Sequence, residues 1–356
     1  MTYVMEDIMN VAGIDIGFGF TKATNGKDFQ IFKSILGEAA EIQFRINMGK
    51  GDNQPNLHVT VDDQSYFLGD FAEQQSSVKQ FTLDQQQLMD EFVRVLALTA
   101  LGNLTDSSAP LNIISGLPVG YYREYNQRLS KTLSGSQEIT FNRADGTSEV
   151  RRLNISKIRV IPQPLGSVLN LLFNEQGKIA NRALTKYKVG VIDIGFRTTD
   201  FCIFDKMQYI ERGSSTTDTG ISKCFSVINK KLREECKVDI ELFRLYNAVK
   251  TGNILIRGKE YDIAKLRNMV FANAARTIAG DAERLWADDW DMDAIILTGG
   301  GASELAEFLQ PLLVGKILPI ENSRDARLNN VYGYYKYAMF LWGGGASAIP
   351  EDGAGG

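Results

Sequence analysis

One histidine and three cysteines in 356 residues leave little material for a metal centre or a disulfide scaffold. The lone His58 excludes a His-rich zinc site and a Ser-His-Asp triad. It sits in a polar stretch and is expected at the surface. Cys202, Cys224 and Cys236 are odd in number and show no CxxC spacing, so neither disulfide framework nor zinc knuckle is indicated and a reducing, cytoplasmic setting fits. No apolar run reaches the roughly 18 to 20 residues that span a bilayer. The N-terminal MTYVMEDIMN is acidic and has no signal-peptide core, so neither export nor membrane insertion is expected. A strong excess of one charge is also missing. The 39 Lys+Arg against 43 Asp+Glu give a net charge of −4, which argues against a chain devoted to wrapping nucleic acid or coating anionic lipid.

What remains is an ordinary globular composition, 44% apolar and 23% charged, at a length that favours two or three domains. Three short apolar runs lead into glycine: VAGIDIGFG (11–19), VGVIDIGFR (189–197) and AIILTGGGA (294–302). Each reads as a strand meeting a glycine-rich turn. The first two repeat IDIGF with Asp15 and Asp193 in equivalent places, so one half of the chain resembles the other. The expectation is an α/β fold of two lobes: residues 9–175 with an outer subdomain near 37–83, and 176–342 with an outer subdomain near 216–269. Residues 1–8 read as a loose leader and 343–356 as a flexible glycine-rich tail. Helical periodicity covers 86–102, with Leu88, Phe92, Val95, Leu96 and Thr99 on one face, and returns at 162–173 and 264–286. Gly315 and Pro319 bracket a short strand, KILPI.

A nucleoside triphosphate needs backbone N–H donors around its phosphates, and carboxylates that hold Mg²⁺ largely through its waters. Two strand-turn-strand hairpins supply both. In the first, Asp15 ends the strand, Gly17 and Gly19 let the turn approach phosphate oxygens, Phe20 and Thr21 follow, and Lys22 can reach a phosphate as a point charge. In the second, Asp193, Gly195, Arg197, Thr198 and Thr199 repeat the design with hydroxyl donors added. The third run brings Gly299, Gly300, Gly301 and Ser303, a stretch of bare backbone ahead of a hydroxyl. No GxxxxGK[ST] motif occurs, so this is not a Walker A loop.

These three elements, in this order, resemble the phosphate 1, phosphate 2 and adenosine elements of the actin/Hsp70/sugar-kinase superfamily. The segment Ile161-Pro162-Gln163 resembles its connect 1, and Asp325 to Gly333 its connect 2; Ser115-Gly-Leu-Pro118 resembles a turn of prokaryotic actin homologues. Asp218, Thr219 and Gly220 match the family's turn into a helix that walls the nucleotide. Lys223 on that helix either touches the ribose or is solvated. The resemblance covers nearly the whole chain and is greatest to ParM/StbA-type plasmid-segregation proteins and archaeal actin homologues. It implies duplicated RNase H-like domains with small insertions, ATP or GTP with Mg²⁺ as cofactors, and hydrolysis. Gln163 would orient the attacking water, with Asp15 and Asp193 as metal-holding catalytic carboxylates. It further implies a homopolymeric filament and a DNA-binding adaptor protein as partner, with no direct nucleic-acid or membrane contact.

Two other readings share the phosphate elements. A sugar or acid kinase needs an acceptor-site Asp base after the Gly-Leu-Pro strand, and none is present there. A scaffold relative that does not turn over filaments usually ends in an amphipathic helix, where this chain is glycine-rich. An Hsp70-type chaperone would need a peptide-binding domain that the length does not allow.

Overall fold

A computed structural model describes residues 10–39, 57–105 apart from 88, 90 and 91, 108–319, and 325–344. The expected leader at 1–8, Leu88, and the tail beyond 344 lie outside the described residues.

The first half contains β1 (Asn10–Ile16), β2 (Phe20–Thr24), β3 (Phe29–Lys33), β4 (Leu36–Glu38), β5 (His58–Val61), β6 (Gln64–Leu68), α1 (Gly69–Gln75), β7 (Lys79–Gln80), α2 (Gln85–Gln87), α3 (Val93–Gly102), β8 (Pro110–Leu117), α4 (Val119–Leu133), β9 (Gly135–Asn142), β10 (Ser148–Pro162) and α5 (Leu165–Leu172). The second contains β11 (Lys188–Ile194), β12 (Thr199–Asp205), β13 (Gln208–Thr217), α6 (Ser222–Cys236), α7 (Tyr246–Thr251), β14 (Asn253–Ile256), β15 (Lys259–Asp262), α8 (Ala264–Leu285), β16 (Ala294–Thr298), α9 (Gly300–Leu309), β17 (Ile317–Leu318) and α10 (Asn329–Trp342).

The repeat seen in the sequence is a repeat of topology. The large sheet runs β3-β2-β1-β8-β10 and continues through β9-β5-β6-β4-β7, and the second runs β13-β12-β11-β16-β17. In each, an antiparallel hairpin, β1–β2 or β11–β12, is followed by a parallel neighbour, β8 or β16. The strands between 37 and 83 extend the first sheet through the β5–β9 pairing. His58, expected at the surface, is half-buried in β5 with its ring edge-on to Phe67 at 4.8 Å.

Strands β1 (NVAGIDI) and β11 (KVGVIDI) are near-continuous apolar runs because both faces are covered. Alternation assigns each residue its side. Ala12, Ile14 and Ile16 face the cluster containing the α3 side chains Val93 to Leu101, whereas Val11 faces the cluster holding Tyr334 and Ala338 of α10. Val189 and Val191 share that second cluster, and Ile192 and Ile194 share the first. Asp15 and Asp193 therefore end their strands on the side toward α10.

Helices α5 and α10 cross there with almost no separation. A Cβ on Gly333 would stand 1.7 Å from the Gly166 carbonyl oxygen, and one on Gly166 would stand 2.7 Å from Asn330 Cα. A cut of the chain near residue 175 assigns α10 to the second half, but α10 packs on β1, β8 and α5 of the first. Among the described residues, no helix is long and apolar enough to cross a membrane.

Candidate active site

The two hairpins and the third glycine run surround one cavity of about 560 Å³, within the size range of small-molecule sites. It opens at the carboxyl ends of the central parallel strands, where open α/β sheets place ligands. In each hairpin the turn closes with one backbone hydrogen bond, from Gly17 N to Phe20 O at 3.1 Å and from Gly195 N to Thr198 O at 2.9 Å.

Asp15 is 2% exposed. Its register partner across the hairpin is Lys22, whose Nζ donates to Oδ2 at 2.7 Å. Gln163, at the end of β10 and ahead of α5, donates its Nε2 to Asp15 Oδ1 at 3.1 Å. Asp193 is 3% exposed and accepts from Asn330 Nδ2 of α10 at 2.6 Å. Gly299 is pressed against this carboxylate. Its φ is +89°, and a Cβ there would lie 2.3 Å from Asp193 Oδ1, so both conformation and space require glycine.

Asp200 is a site carboxylate that the sequence reading passed over. It is the register partner of Asp193 and is also 3% exposed. Its Oδ1 accepts from the backbone N of Val119 at 2.7 Å and from Thr216 Oγ1, while Oδ2 accepts from Thr198 Oγ1 at 3.2 Å. Helix α4 has Pro118 at its N-cap and no capping side chain of its own. Asp200 supplies that cap from the other sheet, and Thr216 Oγ1 accepts the next N–H, from Gly120, at 2.7 Å.

Burial, with Asp200 and then Asp15 adding negative charge, raises the Asp193 carboxyl to about 7, against a smaller opposing pull from the Asn330 bond and Lys22. Burial likewise raises Asp200 to about 6. A carboxyl that holds its proton more tightly folded than unfolded stabilises the fold below the unfolded value of 3.8, and this gain is lost as pH rises through about 7. Without nucleotide or divalent cation, the thermal midpoint is therefore expected to rise by about 2 °C between pH 8 and pH 6. In Asp193→Asn that rise should shrink by at least half. A midpoint that falls on acidification across this interval would contradict the assignment.

Asp15, Gly17, Gly19, Phe20, Lys22, Gln163, Asp193, Gly195, Arg197, Thr198, Gly299, Gly300, Gly301 and Ser303 all line the cavity. Thr21, Thr199, Asp218, Gly220 and Lys223 do not. Thr21 points behind its strand to Ser34 at 3.0 Å, and Thr199 donates to Thr219 O at 3.1 Å. Asp218 pairs with Arg197 at 3.5 Å, Gly220 is packed on the Arg197 carbonyl, and Lys223 faces solvent on α6. Asp218 and Gly220 thus brace the second hairpin at Arg197. The cavity also gathers Arg327, Asn330 and Tyr246, which the sequence reading did not assign. Of the lining residues, Arg244 reaches Glu73 at 3.4 Å and the Phe243 ring lies 5.4 Å from Phe81, with Lys79 reaching Glu241 nearby at 3.7 Å.

This geometry can be set beside known proteins. Residues 13–166 match the N-terminal domain of actin-like proteins, and residues 191–311 match the C-terminal domain of MreB-like archaeal actin homologues. The chain belongs to the actin-like proteins. An archaeal actin homologue of Thermoplasma acidophilum is 22% identical over 338 residues, 92% of this chain and 98% of its own. A ParM from a 15-stranded filament of Clostridium botulinum superposes with a TM-score of 0.76 at 24% identity, covering 92% of this chain and 99% of that one. An archaeal actin homologue solved with ADP gives 0.76 at 21% identity, covering 93% and 99%. At these identities the solved structures establish the two-lobed actin-like fold. Both matched family domains contain one of the twin hairpins and its buried aspartate.

Proposed function

We propose that this chain is an ATPase that assembles into filaments with ATP and Mg²⁺ and turns them over by hydrolysis. The observation that carries this is the arrangement of Asp15 and Asp193. They are buried carboxylates on matching hairpins of two sheets, lining one cavity with Gln163 hydrogen-bonded to the first. Among the described residues no cluster of three or more His, Cys, Asp or Glu side chains could ligate a metal directly. Two carboxylates in a polar cavity do fit Mg²⁺, which keeps several of its waters and takes one or two carboxylates alongside phosphates. Asp15 and Asp193 would hold it, and the cation would supply charge neutralisation on the phosphate chain.

The protein's own groups do the rest. Backbone N–H groups of the turns at Phe18–Gly19 and Phe196–Arg197 would approach the phosphates, and Lys22 adds a charge. The bond from Gln163 Nε2 to Asp15 fixes the amide plane, leaving its carbonyl oxygen to accept from and orient an attacking water. Purine contacts fall to the backbone at Gly299–Gly301, with GTP as the alternative to ATP. The two lobes are taken as 9–175 and 176–342, with α10 packed on the first.

Head-to-tail contacts that do not close give filaments. The solved ParM filament supports assembly here, and plasmid segregation through a DNA-binding adaptor, in a cytoplasmic setting, is the role such assembly would serve. The test is right-angle light scattering on adding Mg-ATP, followed by phosphate release in the same sample. Scattering should rise first, with phosphate trailing it. Hydrolysis without scattering at any concentration would sink the filament reading and turn attention to small-molecule phosphate acceptors.

A further inference from the structure

Tyr246 opens α7 in the second half of the chain, yet it meets the hairpin of the first. Its ring lies 4.9 Å from Phe20 of β2, 5.3 Å from Phe196 in the β11–β12 turn and 5.3 Å from Phe225 of α6. The Phe20 ring also meets the Arg327 guanidinium, 4.5 Å from its centroid and held by Asp325. These rings fix the phenol, so its hydroxyl has a single direction. That direction is toward the β1–β2 turn, where a Cβ on Gly19 would come within 2.5 Å of the oxygen. The ring lines the cavity, and the hydroxyl is sealed from water with no hydrogen-bond partner among the described residues. Native proteins seldom leave a buried hydroxyl unpaired, and one that is left so at a site calls for a specific acceptor.

We propose that the Tyr246 hydroxyl is a ligand contact of the cleft, donating to an anionic oxygen of the nucleotide's phosphate chain when the Phe18–Gly19 turn moves aside. This rests on the nucleotide reading of the site. The tips of both hairpins, where phosphate-binding N–H groups are concentrated, flank the hydroxyl, and Gly19 leaves the space that a side chain would close. Arg327, over the Phe20 ring, adds positive charge to the same region. Burial keeps the phenol protonated, so it can only serve an acceptor as a donor. A hydrogen bond to a charged oxygen is among the stronger ones, and its loss is read as affinity.

The experiment is calorimetric titration of Mg-ATP, Mg-ADP and Mg-tripolyphosphate into wild type and Tyr246→Phe, with the thermal midpoint of each protein measured without ligand. The variant should bind Mg-ATP and Mg-tripolyphosphate about tenfold more weakly. Its unliganded midpoint should be equal to or above wild type, because an unpaired buried hydroxyl has been removed. Unchanged affinity in the variant overturns the proposal alone. So does weaker binding that comes with a lowered midpoint, since that pattern belongs to a packing role. A wild type that binds none of the three probes overturns the nucleotide reading and this proposal with it.

Discussion

Asp193→Ala is expected to lower the rate of phosphate release by about a hundredfold or more while weakening nucleotide binding by less than about tenfold, so that filaments form and then persist. The asymmetry follows from what surrounds the carboxylate. The two hairpin turns, the Gly299–Gly301 backbone and Lys22 line the cavity from several sides, would hold the nucleotide there, and survive the substitution. The negative charge that would fix the cation at the second hairpin does not. With Asp193 gone, Asn330 loses its acceptor at 2.6 Å, and Asp200 remains tied to Val119 and the threonines. Asp193→Asn keeps the volume and the packing against Gly299, so agreement between the two variants separates charge from cavity formation. The measurement is phosphate release alongside light scattering over time after adding Mg-ATP. Wild-type hydrolysis in either variant would remove Asp193 from the metal site.

The parts of this site that could be read from sequence are those that the backbone pattern itself encodes. IDIGF is a strand of apolar residues interrupted by one aspartate before a turn, and its second occurrence gives both the duplication and the paired carboxylates. LTGGGAS announces a backbone-lined surface in the same way, and the positive φ at Gly299 is the conformation that a glycine there permits. Helices α5 and α8 fall within the periodic segments 162–173 and 264–286, and α3 holds Phe92's neighbours Val95, Leu96 and Thr99 in the core. What was missed depends on contacts between distant segments. Asp200 follows Asp193 by one hairpin, so its cross-strand position was within reach, but its partner Val119 N opens helix α4 in the first half of the chain. Tyr246 and Arg327 come from weakly periodic or irregular stretches and meet only because Phe20 stands between them. Thr21 and Thr199 stand on strand faces turned away from the cavity, and Lys223 is exposed on α6.

The other large effect is expected from a residue that touches no ligand. Gly333→Ala should destabilise the protein by about 3 kcal/mol or more, because its new methyl would stand 1.7 Å from the Gly166 carbonyl oxygen and 2.9 Å from Asn170 N. Both obstacles are backbone, so no rotamer change relieves them, and α10 must move off α5. Such a shift reaches the chemistry by two routes visible in the hydrogen bonds. Tyr334 donates to the Gln163 backbone oxygen at 3.1 Å, and Asn330 donates to Asp193 at 2.6 Å, both from α10 beside the crossing. Turnover per folded molecule should therefore fall along with stability, by about tenfold or more. Gly280 of α8 provides the opposite case, since a Cβ there meets only the end of the exposed Arg284 side chain at 3.7 Å. Gly280→Ala should raise stability by about 0.5 to 1 kcal/mol through helix propensity and leave turnover unchanged. Urea unfolding with phosphate release on both variants decides the matter. Equal stability of Gly333→Ala and wild type would mean that the α5–α10 crossing has room the structure does not show, and that the two helices do not hold Gln163 and Asp193 in register across the cavity.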